Sequence, residues 1–301
     1  MRGPAIILDV LSVLDPLPLP VRELVRITTL CGVSSNATRV ALSRLVAAGK
    51  VEHVPGETSP AYRFTEPTRA LNRYVRAALD APAVRPWTGE WWQILPRGRA
   101  RTGDPRAPRL TALEVFHFAQ LRRGLWIRPA NLSFTDAQLQ ERLADLDGRS
   151  AGALLVCRFV NRRRERALAR RLWPLPQQAK ACRQALRRLE RSLAALPALS
   201  LEAALQESFV VGGEVIRLLF RDPLLPTELL PASWPAGELR ALFHRYCAKG
   251  YERWAEFVGT VPGDRTALRT LLLGAAAQSR AAAQFLGGED ALGTLQRPLP
   301  A

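Results

Sequence analysis

Over the first eighty residues, apolar positions return three times at the 3.6-residue period of a helix, then switch to alternation. Ile6, Ile7, Val10, Leu11 and Leu14 share one face of a segment at 5–14, which Pro16, Pro18 and Pro20 end. A second helix is predicted over about 20–31. It has Pro20 in its first turn, Val21, Leu24, Val25 and Cys31 facing inward, and Gly32 as a left-handed terminator. Ser34 or Ser35 caps a third helix through its hydroxyl, and Gly49 closes it. "VEHV" and "AYRF" flank the turn "PGETSP" and predict two short strands. Residues 66–80 regain helical period through Leu71, Tyr74, Val75 and Leu79. Helix, helix, tight turn, helix, two-stranded ribbon and helix form the order of a winged helix-turn-helix.

Near Trp87 the pattern changes. "EWWQILP" (90–96) predicts a strand, 110–122 a helix, "GLWIRP" (124–129) a strand, 135–146 a helix and "GALLVCRFV" (152–160) a strand. Such a β-α-β-α-β order suits a small ferredoxin-like domain. From about 161 the period is helical again, through 177–195, 201–220 and 236–258, interrupted by Pro223, Pro226, Pro231 and Pro235. The tail after about 288 is predicted to fray. The expected fold class is α+β in three parts. A winged helix-turn-helix takes 1–82, a ferredoxin-like middle domain 83–160 and a helical domain 161–301.

Composition sharpens this picture only in places. Forty-three basic against 27 acidic residues leave a formal charge of +16 on 301 residues, which favours a polyanionic partner. All but three of the basic residues are Arg, beside abundant Ala and Leu, so compositional bias accounts for part of the excess. Cys31, Cys157, Cys182 and Cys247 are widely spaced without a C-x-x-C. They read as four reduced, packed thiols rather than a disulfide framework or a metal site. No apolar run reaches the ~18 residues of a membrane span, and the N-terminal segment lacks a small-residue cleavage site. A cytoplasmic protein with no cofactor and no metal is expected.

The third predicted helix carries the chemistry. Wound at ~100° per residue, Thr38, Ala41, Leu42, Leu45 and Val46 gather on one side. The other side offers Ser35, Asn36, Val40, Ser43 and Ala47 between Arg39 and Arg44. Small and polar residues let a helix approach base edges closely. Arginine can donate two bonds to guanine, asparagine can read adenine, and the Val40 methyls can meet a thymine methyl. In the ribbon, Glu57 would repel phosphates, leaving Thr58, Ser59 and Arg63 for contact.

These segments resemble one family, the PaaX-type regulators of phenylacetate degradation. Its recognition helix reads V-R-x-A-L-S-R-L-V-x-x-G, and "TRVALSRLVAAGKV" is similar, with Thr38 in place of the valine. "WTGEWW" and "GLWIRP" resemble its middle-domain motifs, and "LLFRDPLLPTELLPASWP" (218–235) resembles its R-D-P-L-L-P-x-E-L-L-P-x-x-W. The resemblance spans about 6–258. It implies a homodimeric repressor on double-stranded operator DNA, with an aryl- or acyl-CoA thioester, such as phenylacetyl-CoA, as the releasing effector. Trp173, Glu214, Arg217, Arg221 and Trp234 are the effector-binding candidates. Two stretches depart from the family. "QQAKACRQALRR" lacks the usual tyrosine and phenylalanine, and "GGEVIR" has Gly213 and Val215 in a His-Glu-aromatic-Arg run. The effector's identity therefore stays open.

Other functions fit less well. A metal-dependent nuclease on the ferredoxin-like region needs a carboxylate at the end of the first strand, and Glu90 stands before it. His53, His117 and His244 are scattered, and His244 with Cys247 reads as a packed pair. General nucleic-acid binding, of RNA for instance, could use Arg97–Arg109 or Arg162–Arg171. No aromatic-bearing glycine motif accompanies those runs. Arg221 and Asp222 are expected to form a local ion pair or cap.

Overall fold

The computed structural model describes residues 3–55, 60–79, 84–95, 112–147, 152–161, 164–260 and 266–287. Helices and two small antiparallel sheets make up a mixed α+β fold. The N-terminal unit runs α1 (Gly3–Leu14), β1 (Leu19–Pro20), α2 (Val21–Leu30), α3 (Ser35–Ala47), β2 (Val51–Val54), β3 (Ala61–Phe64) and α4 (Glu66–Leu79). Its strands lie in the order β1-β3-β2. The periodicity of α1 is realised in full: Ile6, Ile7, Val10, Leu11 and Leu14 are all buried.

The second sheet comprises β4 (Glu90–Leu95), β5 (Ala119–Arg122), β6 (Leu125–Pro129) and β7 (Ala153–Arg158), in the order β5-β6-β4-β7. One correction concerns the helix expected over 110–122. Its described part is a single turn, α5 (Ala112–Val115), followed by β5. The chain leaves the helix at His117, whose φ is +57°, and Ala119–Arg122 then alternate half-buried and exposed, the period of a strand. A tight turn with Gly124 at φ +73° returns it as β6. Thr135 and Gln138 exchange reciprocal side-chain-to-backbone bonds at the start of α6 (Asp136–Asp147), forming a capping box.

Trp91 and Trp92 are adjacent, fully buried and on opposite faces of β4. Each indole N–H needs an acceptor once buried. Trp91 donates to Glu165 at 3.1 Å and Trp92 to Asp136 at 2.7 Å. Asp136 belongs to α6 and Glu165 to α7 (Glu165–Leu172), so each ring fastens one covering helix. The α7 face is shared with Trp173, Leu225 and Leu229.

The remaining helices are α8 (Leu175–Ala195), α9 (Leu201–Phe220), α10 (Ala236–Gly259) and α11 (Thr266–Gly287). Helices α8, α9 and α10 hold a core of their own, in which Leu186, Leu189, Val215, Leu239 and Phe243 meet, and Leu79 of α4 enters it. A larger core is common to both ends of the chain. Ile7, Leu11, Leu24 and Leu42 pack with Leu205, Phe209, Trp254, Phe257 and Leu272. The Arg26 guanidinium lies 4.9 Å from the centre of the Phe257 ring, tying α2 to α10. Among the described residues no helix is long and apolar enough to cross a membrane.

Candidate nucleic-acid interface

Helix α3 begins where its sequence calls for it. Gly32 takes φ +77°, and the Val33 amide donates to the Thr28 carbonyl at 2.9 Å, so α2 turns sharply into α3. Ser34, not Ser35, is the N-cap: its hydroxyl accepts the Ala37 amide at 3.2 Å. Thr28 and Thr38 are both fully buried, with hydroxyls 2.6 Å apart. Thr28 also donates to the Leu24 carbonyl, so the pair is satisfied and fixes the rotation of α3 against α2. Thr38 thus has a structural reason to be a threonine.

That rotation decides which face is free. Thr38, Ala41, Leu42 and Leu45 are buried, while Ser35, Asn36, Arg39, Val40, Ser43 and Arg44 are exposed. Val46 departs from expectation at 39% exposed. The stripe covered by α1 and α2 is narrower than the apolar pattern, and Val46 falls beyond it. Arg39 and Arg44 make no hydrogen bond or ion pair to any described residue. Arg63 differs: its Nε donates to Glu52 Oε1 at 2.6 Å across directly paired positions of β2 and β3. His53 and Tyr62, also cross-strand partners, meet edge to face with ring centres 5.5 Å apart. Glu57, Thr58 and Ser59 lie outside the described residues, as do Arg97–Arg109 and Arg162–Arg163.

The effector candidates do not converge. Trp173 is a buried plug between the sheet and α7, and Trp234 joins the same apolar cluster. Glu214 pairs with Arg188 across α9 and α8. Arg217 lies near Asp9 of α1, over Gly213. A Cβ there would stand 3.4 Å from the Arg217 guanidinium and 3.5 Å from the Asp9 carboxylate. The departure at Gly213 thereby gives both groups room. Burial pushes the Asp9 carboxyl up to about 6, against the opposing pull of Arg217. Arg221 is the exposed C-cap of α9.

Asp222 takes a different partner from the one its neighbour offers. It pairs with Arg240 at 3.3 Å, both nearly fully buried, and accepts the Trp234 indole N–H at 3.2 Å and the Leu224 amide at 3.4 Å. Nearby is a buried cation that the sequence pattern did not single out. Arg128 donates to the carbonyls of Pro129 and Phe116, to Asn131 Oδ1 and to the carbonyl of Leu224, while Asn131 Nδ2 donates to that same Leu224 carbonyl at 2.8 Å. Leu224 has φ +50°, and these bonds on both sides of it hold that strained residue in place. Burial lowers the Arg128 guanidinium to about 9, still charged at neutral pH, and pushes His117 beside it down to about 3. His244 hydrogen-bonds the Leu79 carbonyl at 3.0 Å. Among the described residues no three His, Cys, Asp or Glu side chains gather as metal ligands would.

Two stretches of the chain match family models. Residues 6–68 match the model of the PaaX-like proteins, and residues 173–260 match that of the PaaX-like protein C-terminal domain. The chain belongs to the PaaX-like family. It is thereby a regulator by family. Among solved structures, the uncharacterized protein Rv0674 from Mycobacterium tuberculosis is 31% identical with a TM-score of 0.52, covering 81% of this chain and 95% of its own. No curated protein matches the chain. The N-terminal match contains the whole of α3, and the C-terminal match contains the Asp222–Arg240 knot, so Arg39, Arg44 and Arg240 lie in matched sequence.

Proposed function

We propose that this PaaX-like chain is a sequence-specific transcriptional repressor that reads double-stranded operator DNA with α3. Residues 1–82 form its winged helix-turn-helix, 83–160 a ferredoxin-like middle domain and 161–301 a helical regulatory domain. Ser35, Asn36, Arg39, Val40, Ser43 and Arg44 enter the major groove, and Arg63 contacts the backbone from the ribbon. The observation that carries this reading is the free face of α3: two uncommitted arginines either side of small, exposed residues. The strand order β5-β6-β4-β7 supports the ferredoxin-like assignment, since the first and third strands are central and antiparallel. Two copies act as a homodimer on a near-palindromic site. Among the described residues β7 is an edge strand, and with Leu155 and Val156 exposed it offers its outer backbone to a second copy. In the cytoplasm, an aryl- or acyl-CoA thioester bound by the helical domain releases the DNA and so switches aromatic-acid catabolism. No enzyme activity or cofactor is part of this reading.

Gel-shift titration on bound genomic fragments tests it. Arg39→Ala and Arg44→Ala each weaken operator binding by ~1–3 kcal/mol and relax base preference at one position. Affinity falls steeply as salt rises. Wild-type affinity in both variants would remove α3 as the reader. Binding without sequence preference would favour the general nucleic-acid reading instead.

A further inference from the structure

A cleft of about 480 Å³ opens between the C-terminal end of α8, the middle of α10 and the second half of α11. That is within the ~300–1,000 Å³ of small-molecule sites. Its walls are apolar, with Leu193 and Pro197 on one side and Ala248 and Ala283 on the others. Its rim is cationic: Arg245, Lys249 and Arg280 face one acid, Glu252. Arg245 and Lys249 stand one helical turn apart on α10. Lys249 pairs with Glu252 at 3.0 Å, and Arg280 reaches Glu252 from α11. Arg245 is exposed and makes no hydrogen bond or ion pair to a described residue. None of these residues belongs to the effector candidates taken from the sequence.

We propose that this cleft is the effector site and takes an amphipathic anion, an acyl or aryl group against the apolar walls and its negative charge on Arg245. The inference rests on the ligand-responsive reading above and gives it a place. The anion competes with Glu252 for Lys249 and Arg280, loosening the Arg280–Glu252 ion pair that ties α10 to α11 at the cleft. Both helices then lead straight to the core shared with α1–α3. Trp254, Phe257 and Val258 follow Glu252 on α10, and Leu272 precedes Arg280 on α11 by eight residues, ~12 Å of helix. Because Arg26 of α2 rests on Phe257, a shift of α10 against α11 moves the partner of the helix that positions α3. Preferential binding to one of the two arrangements is all that release requires.

Calorimetric titration of the full chain tests the site without any operator, and a gel shift on the same samples tests the consequence. The probes are phenylacetyl-CoA, benzoyl-CoA, acetyl-CoA, free CoA and phenylacetate, against wild type, Arg245→Ala and Arg245→Glu. At least one acylated probe or the free acid binds wild type. Its affinity falls about tenfold in Arg245→Ala and further in Arg245→Glu, while operator binding without ligand stays within twofold. Binding of thioesters alone, or of the free acid alone, identifies the source of the anion and supports the site either way. Equal affinity of all three proteins for a probe that releases DNA overturns the cleft and leaves the repressor intact. Absence of binding by every probe overturns the cleft as well. Absence of operator binding by wild type would sink the repressor reading alone, because the titration still reports on Arg245.

Discussion

Arg39 and Arg44 on α3 stand exposed with no partner among the described residues, whereas Arg128 and Arg240 beside the 222–235 crossing are nearly fully buried. Each of the four carries the same single positive charge. What separates them is desolvation. A guanidinium left in water keeps its five donors available for a phosphate or a guanine edge. A guanidinium removed from water has to spend most of its donors internally, as Arg128 does in four bonds to three carbonyls and an amide oxygen. The first kind is suited to bind and the second to hold. The gross count of 43 basic residues therefore overstates the cations available to a polyanion, because Arg63, Arg69, Arg188 and Arg240 already have carboxylate partners.

The largest test of this contrast is on the holding side. Asp222→Ala deprives buried Arg240 of its carboxylate and Trp234 of its acceptor, and is expected to cost ~3–5 kcal/mol in denaturant unfolding. A loss below ~1 kcal/mol would mean the knot is not structural. Second is Asp9, whose carboxyl titrates near 3.8 when exposed and about 6 when folded. The folded state holds that proton more tightly, so the stabilisation is fully present below pH 4 and is lost as pH rises through 6. Asp9→Asn should then raise stability at pH 7.5 by up to ~3 kcal/mol and flatten its dependence between pH 4 and 6. Thermal melts at four pH values decide it. On the binding side, Arg39→Ala and Arg44→Ala should leave the melting temperature within ~1 °C while weakening DNA binding; a large drop in melting would place them with Arg128. The smallest effect belongs to Arg63→Ala. Its partly exposed pair with Glu52 contributes ~0–1 kcal/mol, and its loss of DNA affinity should be well below that of Arg39→Ala.

Much of the N-terminal unit was legible because its elements are local. The period of 5–14, the Gly32 turn, a serine cap and the alternating "VEHV" and "AYRF" each specify an element through neighbours within a few residues. Where the local pattern misleads, a distant contact intervenes. The run "ALEVFHFAQLR" contains enough apolar residues for a helix, yet Phe116 and His117 turn around the buried Arg128, and the rest becomes a strand. Val46 has the right spacing for the core, but α1 and α2 do not extend over it. Asp222 has an arginine next to it in sequence and pairs with one eighteen residues away. The cleft lined by Arg245, Lys249 and Arg280 had no signature, because its walls come from three helices and its charges match those of any solvated face.

Along the chain alone one reads the order of the N-terminal elements, the position of the helix with two arginines around small residues, and the family through its R-D-P-L-L-P crossing. Those properties depend on local spacing and residue type, which a linear pattern records. Which arginines are free and which are spent, that the N-terminal helices share one core with α9, α10 and α11, and that a basic cleft lies where the middle of α10 meets the second half of α11, are properties of the folded arrangement. Burial and partner choice are properties of residues far apart along the chain, and no window of sequence contains both.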